Sequence, residues 1–178
     1  MNASLISVRY AKALFLLSKE KGAVEQVYGD MTVLLDYCNN VPEFDELLNS
    51  PVIKPGKKKK ALKGVFEKRV NQLTLNFLTI MVNNKREPLL ASIARNVIDF
   101  YKEEKNIKSV ALYTAVPLEE DHLSRISEML QQELNAKIQL TVRVRDKLIG
   151  GFVLMVDGKM IDATIANKLK ELKKKLLS

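Results

Sequence analysis

The sequence predicts a mainly α-helical protein. An N-terminal bundle of six helices covers residues 1–105, and a smaller α+β domain with a short sheet and two helices covers residues 106–178. Three observations predict this. Up to residue 105, apolar side chains recur at helical spacings, interrupted only by short Gly, Pro and Asn breaks. After Asn106 the pattern changes to alternation, cleanest in Lys137–Arg145, where Ile138, Leu140, Val142 and Val144 share one face. Asp157-Gly158 then supplies the residue pair of a two-residue hairpin turn, whose positive φ angles Asp tolerates and Gly prefers.

The elements follow in order. A first helix spans about Ser4 to Lys19 and stops before Gly22; a second spans Ala23 to Cys38 and ends at Asn39-Asn40. Pro42 starts a short third helix, Glu43 to Leu48. Ser50 to Gly56 carries two prolines and a glycine and is expected to be a loop. A fourth helix follows over Lys58–Val70, a fifth over Leu73–Val82 and a sixth over Pro88–Glu104. Pro88 suits a first turn because its missing N–H would be unpaired there anyway. Leu90, Ile93, Ala94, Val97 and Tyr101 form the buried stripe of the sixth helix. Lys108 to Val116, rich in Val, Ala, Tyr and Thr, is the first strand, ended by Pro117. Glu119-Glu120-Asp121 places acid at the start of the next helix, where the dipole favours it. Leu123, Ile126, Leu130 and Leu134 are its apolar face. Asp146-Lys147 turns the chain out of the alternating strand. Gly150-Gly151, inside the following strand, predicts a bulge or a close backbone approach. After the hairpin, Asp162 or Thr164 caps a final helix with the stripe Ile165, Leu169, Leu172 and Leu176. That stripe is expected to pack partly on the preceding strands.

Composition limits the function. Of 178 residues, 47% are apolar, enough for a core, while aromatics are 6% and Trp is absent. The net charge is +8, which suits nucleic acid, an anionic surface or an acidic partner. The charge is spread over both domains: residues 1–106 carry 17 basic and 12 acidic side chains, residues 107–178 carry 12 and 9. Cys38 is alone, so no internal disulfide forms and a reducing compartment is expected. The N-terminal residues do not read as a secretion signal or transit peptide. The longest notable charge-free run, Asn71–Asn84, has 14 residues with four Asn and two Thr, short of the roughly 20 apolar residues of a membrane span.

Chemistry is sparse. His122 is the single histidine and sits in an acidic helix start, so no His/Cys metal site and no Cys–His pair are expected. Glu119, Glu120 and Asp121 splay around a helix instead of facing one another. Gly150-Gly151 lacks the spacing and the Lys-Ser/Thr of a phosphate loop. No catalytic residue, metal or cofactor is expected. Lys57 to Lys60 reads as a solvated corner, and no aromatics are interleaved with it for base stacking. The first and fifth helices are more telling. Apolar residues of the first spread over roughly 220° of its wheel, against about 100° for a surface helix, and the fifth is as wide with no charge. Either both are central helices or they form a groove for a partner helix. The candidate groove residues are Ile6, Tyr10, Ala13, Leu14, Phe77, Leu78 and Met81, with Tyr10, Leu14, Phe77 and Met81 as anchors. A second candidate face is the lysine side of the last helix, Lys168, Lys173, Lys174 and Lys175.

Several short motifs occur in order: Arg9-Tyr10-Ala11-Lys12-Ala13-Leu14-Phe15, Leu48-Asn49-Ser50-Pro51-Val52-Ile53 before the lysines, Leu75-Asn76-Phe77-Leu78, Asn83 to Ile93, and the stretch 149–176. Together they resemble the delta subunit of F-type ATP synthases, the oligomycin-sensitivity-conferring protein family. Val8, where many members have Pro, and Ala163, near which Ser or Gly is common, depart from that pattern. The resemblance implies a non-catalytic peripheral-stalk subunit. Its helical domain would bind the N-terminal helix of the alpha subunit, its α+β domain the C-terminal end of the b-subunit stalk, and neither would bind nucleic acid. It would lie on the cytoplasmic face of the bacterial inner membrane, attached only through the complex. The rival reading is a basic RNA-binding or ribosome-associated protein.

Overall fold

The computed structural model describes residues 5–145, 148 and 150–176; in the final helix, side chains are described as far as Lys170 and at Lys173. The Asp146-Lys147 turn and the side chains of Leu172, Lys174, Lys175 and Leu176 lie outside the described residues. The chain is mainly helical, with eight α-helices and one four-stranded sheet among the described residues. It divides into two compact units, Met1–Tyr101 and Lys102–Ser178.

In the first unit the helices are α1 (Leu5–Glu20), α2 (Val24–Asn40), α3 (Pro42–Asn49), α4 (Pro55–Phe66), α5 (Gln72–Asn83) and α6 (Leu90–Glu104, its last turn in the second unit). Helix α4 begins at Pro55, inside the expected loop, and ends at Phe66 rather than Val70. Pro55 at the first helical position loses no hydrogen bond, which is why the proline starts the helix instead of delaying it. Pro88 lies in a separate 3-10 turn, Glu87–Leu89, ahead of α6. Helix α5 starts where two side chains satisfy its free N–H groups. Asn71 Oδ1 accepts from Leu73 N at 2.8 Å, and the buried Asp30 of α2 accepts from Asn71 N and from the Thr74 hydroxyl.

The core of this unit is built from Val27, Met31 and Leu34 of α2, Leu62 and Phe66 of α4, Leu78, Met81 and Val82 of α5, and the five expected stripe residues of α6. Tyr37, Phe44 and Phe66 meet edge to face at centroid distances of 5.3–5.9 Å, joining α2, α3 and α4. Tyr28 stacks on Tyr101 at 3.9 Å, and the Tyr101 hydroxyl donates to Glu25, tying α2 to α6.

The second unit holds β1 (Ile107–Thr114), α7 (Glu120–Leu134), β2 (Lys137–Val144), β3 (Phe152–Val156), β4 (Lys159–Asp162) and α8 (Ile165–Leu176). The strand order is β2-β1-β3-β4. β1 pairs parallel with β2, which requires the α7 crossover, and antiparallel with β3. Val110, Leu112 and Leu154 are buried on the sheet face that Ile126 and Leu130 of α7 pack against. Asn135 ends α7 in the left-handed conformation, and Asp157-Gly158 forms the expected tight turn with both φ angles positive.

One expectation for this unit is corrected by the structure. Gly150-Gly151 is not inside a strand: β3 starts at Phe152, and the pair forms the bend before it. Of the two expectations offered for the pair, close approach is the one found. Gly151 has φ +80°, and a Cβ there would meet Thr164 Cα at 2.9 Å and the Ala163 carbonyl oxygen closer still. Of the stripe expected on α8, Ile165 is 48% and Leu169 61% exposed, so both are partly covered.

Candidate partner-binding faces

Helix α1 presents two stripes. Ser7, Ala11, Leu14, Phe15 and Ser18 are buried. On another side, Ile6, Tyr10, Ala13 and Leu17 follow at i, i+4, i+7 and i+11, a spacing that aligns them along the axis. Ile6 is 37% and Leu17 42% exposed, Ala13 is exposed and Tyr10 is half-buried. The Tyr10 ring meets Phe77 of α5 edge-on at 6.4 Å, and the Arg86 guanidinium lies 5.4 Å from the Tyr10 centroid. Phe77 shares its helix side with Leu73 and Ile80, and Ile80 is 48% exposed. The α1 stripe therefore continues onto α5 through the Tyr10–Phe77 contact, as an apolar surface with a cation at its rim.

The predicted groove residues divide. Ile6, Tyr10 and Ala13 are on the surface. Leu14, Phe77, Leu78 and Met81 are buried in the unit's own core rather than facing a groove, Phe77 retaining 8% exposure. The reason is geometric. A helix apolar over most of its circumference buries whichever arc its neighbours meet, and sequence periodicity does not say which arc that is. Leu17 and Ile80 complete the surface. They lie within the wide apolar arcs, so the signal for them was present but undirected.

In the second unit, Lys168, Lys170 and Lys173 are exposed on α8; Lys174 and Lys175 belong to the undescribed side chains. Thr164 caps this helix, its hydroxyl accepting from Asn167 N at 3.2 Å. Asp162 in turn accepts from Thr164, and those hydrogen bonds, chiefly from the Thr164 side chain, hold its carboxyl below the usual range. The sequence did not announce a crevice of about 600 Å³ between α7 and the sheet, lined by Val116, Leu118, Ile126, Met129, Phe152 and Leu154 among others. Val116, Met129 and Phe152 are exposed at its mouth. Its walls are almost wholly apolar, the character of a site that takes apolar side chains from a partner.

No group of three or more His, Cys, Asp or Glu is placed to hold a metal ion among the described residues. His122 is exposed, 4.0 Å from Glu119. Cys38 is half-buried and its thiol is pushed up to about 11, first by burial and then by Asp45, against the opposing pull of Arg95. No described helix is long and apolar enough to cross a membrane.

The lysine run behaves differently from its solvated expectation. Lys57 and Lys60 are exposed, but Lys58 is buried. Its Nζ donates to Glu87 Oε1 at 2.6 Å and to the Leu48 carbonyl at 2.8 Å. It thereby ties α4 to the C-terminal end of α3 and to the turn before α6.

Comparison with known proteins agrees with this architecture. Residues 6–176 match the family model described as ATP synthase delta (OSCP) subunit. A protein named ATP synthase subunit delta from Parabacteroides distasonis is 36% identical over 177 residues, 99% of this chain and 98% of its own length. Another of that name from Prochlorococcus marinus is 32% identical, with 94% and 93% covered. A chain in a cryo-EM structure of the Toxoplasma gondii mitochondrial ATP synthase hexamer superposes with a TM-score of 0.76 at 29% identity, covering 97% of both chains.

Proposed function

The chain belongs to the ATP synthase delta (OSCP) family, a non-catalytic component of the peripheral stalk of the F-type ATP synthase, and from that premise we propose how its two units divide the work. As such a subunit it is a peripheral part of a membrane-bound complex and serves ATP synthesis without catalysing it. The finer reading concerns partners. The six helices of residues 1–105 act as one bundle that receives the amphipathic N-terminal helix of the alpha subunit. Residues 106–178 form a second domain that grips the C-terminal end of the b-subunit stalk. The site of action is the cytoplasmic face of the bacterial inner membrane. A connector of this kind holds the catalytic head still against rotor torque.

The observation that carries the reading is the exposed apolar stripe Ile6–Tyr10–Ala13–Leu17 continuing to Ile80 of α5. A stripe at helical spacing beside a second apolar helix is the surface on which an amphipathic helix lays its own apolar face. In the second unit, the apolar crevice and the exposed Lys168 and Lys173 offer burial and charge to a stalk helix.

The test titrates the full chain with a peptide of the alpha-subunit N-terminus. Ile6→Asp and Leu17→Asp should each weaken binding by about 30-fold or more, the scale of a lost anchor of about 2 kcal/mol, with the melting temperature kept. Leu14→Ala should instead lower stability by about 2–5 kcal/mol. Unchanged affinity in both surface variants would place the alpha-subunit site elsewhere.

A further inference from the structure

The sheet of the second unit ends in two unlike edges. One is β4, four residues long. The other is β2, eight residues without proline, whose outer side meets no strand among the described residues. Lys137 N donates to Asn106 O and Arg145 N to Thr114 O, both at 2.9 Å, so the odd-numbered residues of β2 turn their backbone groups toward β1. In a strand the direction alternates, so Ile138, Leu140, Val142 and Val144 present their N–H and C=O groups outward. Beside that edge runs a groove of about 460 Å³ between β2 and α7. It is lined by Leu140 and Val142 on one side and by Leu123, Ser124, Ser127, Glu128 and Gln131 on the other. An edge strand with a helix-walled groove along it is the arrangement that accepts a peptide as an added strand. Main-chain hydrogen bonds hold such a peptide, and alternate side chains enter the groove.

We propose that this edge binds an extended, acidic segment of another protein by strand addition. Charge selects the occupant. The sheet face opposite the groove carries exposed Lys137 and Arg143, with Gln139 and Thr141 between them. Side chains of an added strand on that face stand about 5 Å from their neighbours on β2, so Glu or Asp there is favoured. On the groove side, the Leu, Val, Ser and Gln lining suits small β-branched residues, and Glu128 there repels acidic ones, so the acidic side chains belong on the opposite face. A second copy of this chain is disfavoured. Two β2 strands paired antiparallel about Leu140 would set Lys137 against Arg143 twice, and like charges directly opposite destabilise a sheet. The inference concerns a face that the alpha and b partners of the preceding section do not require, and it stands independently of that reading.

The experiment uses the full chain, isotope-labelled, and a synthetic capped peptide of four Glu-Val repeats. Amide hydrogen exchange is read residue by residue with and without peptide. Exchange at Ile138, Leu140, Val142 and Val144 should slow at least 10-fold, and that at Gln139, Thr141 and Arg143, already bonded to β1, should hold. Two N-methylated peptides, one methylated at every Glu and one at every Val, should behave oppositely: the one blocked along the bonding edge loses binding and the other keeps it. A Lys-Val peptide should bind at least 10-fold more weakly. Val142→Pro removes one outward N–H and no bond to β1, so it should abolish peptide binding with the sheet intact. The proposal is overturned by no binding at about 1 mM peptide, by equal binding of both methylated forms, or by protection located elsewhere in the unit. Protection of the same four amides in the free protein that grows with its concentration would assign the edge to a second copy instead.

Discussion

Replacing Lys58 with Met should be among the most damaging single changes in the first unit, although three other lysines lie in the same run. The Lys58 and Glu87 side chains are 4% and 8% exposed, so neither charge is solvated by water. Glu87 Oε2 has no hydrogen-bond partner, and Oε1 has Lys58. Lys58→Met leaves a buried carboxylate with no counter-charge and takes a donor from the last turn of α3 at Leu48 O. Removing one member of a buried pair costs about 3–5 kcal/mol, most of it from the charge left behind. For a unit of this size that lowers the melting temperature by roughly 15 °C or more. The double variant Lys58→Met/Glu87→Leu removes both charges, so it should recover all but the roughly 1–3 kcal/mol that an unsatisfied Leu48 carbonyl costs. Lys57→Met and Lys60→Met, at exposed positions, should stay within about 0.5 kcal/mol of the parent. Urea unfolding of all five proteins measures these differences, with the slope checked for constancy. A Lys58→Met midpoint matching those of the Lys57 and Lys60 variants, or a double variant less stable than Lys58→Met, would refute the reasoning.

Four further outcomes follow from local surroundings. Gly151→Ala should destabilise the second unit by about 1–3 kcal/mol, because φ is +80° and the added methyl strikes the backbone of Ala163 and Thr164; Gly64→Ala, in a helix with open space around it, should stabilise by about 0.5–1 kcal/mol, both read from denaturation midpoints. Cys38 should react with iodoacetamide at pH 8 roughly 100-fold more slowly in the folded protein than in urea, since its thiol is raised from 9.0 to about 11 and the thiolate is the nucleophile. An ultraviolet titration should show one phenol ionising near pH 12, missing from Tyr101→Phe. The Glu25 hydrogen bond, and then burial, raise Tyr101 from 10.0 to about 12, so its contribution to stability is whole below pH 10 and is lost as pH climbs toward 12.

Much of the fold was legible because it rests on local periodicity. The stripe Leu90, Ile93, Ala94, Val97 and Tyr101 is the buried set of α6, and the alternation of Ile138 to Val144 and the Asp157-Gly158 turn are both present. What was not legible depends on partners distant in the chain. Lys58 looks like its neighbours until α3 and Glu87, 29 positions away, close around it. Leu14 and Met81 share their apolar character with Ile6 and Ile80, and only packing separates core from surface. Gly150-Gly151 reads equally well within a strand or just before one, because the atoms that forbid a side chain at Gly151 belong to Ala163 and Thr164.

The position of β1 between β2 and β3 has a consequence during synthesis. Its parallel neighbour follows after α7, but its antiparallel neighbour β3 begins only at Phe152, and β1 has already ended at Thr114. At a translation rate of about 5–20 residues per second, roughly 2–8 s pass before that second neighbour is made. Through that interval the nascent strand is open on one side, with Leu112 still waiting for Leu154. The sheet of the second unit is therefore completed well after β1 is made, and that interval is when a ribosome-associated chaperone would have most to cover.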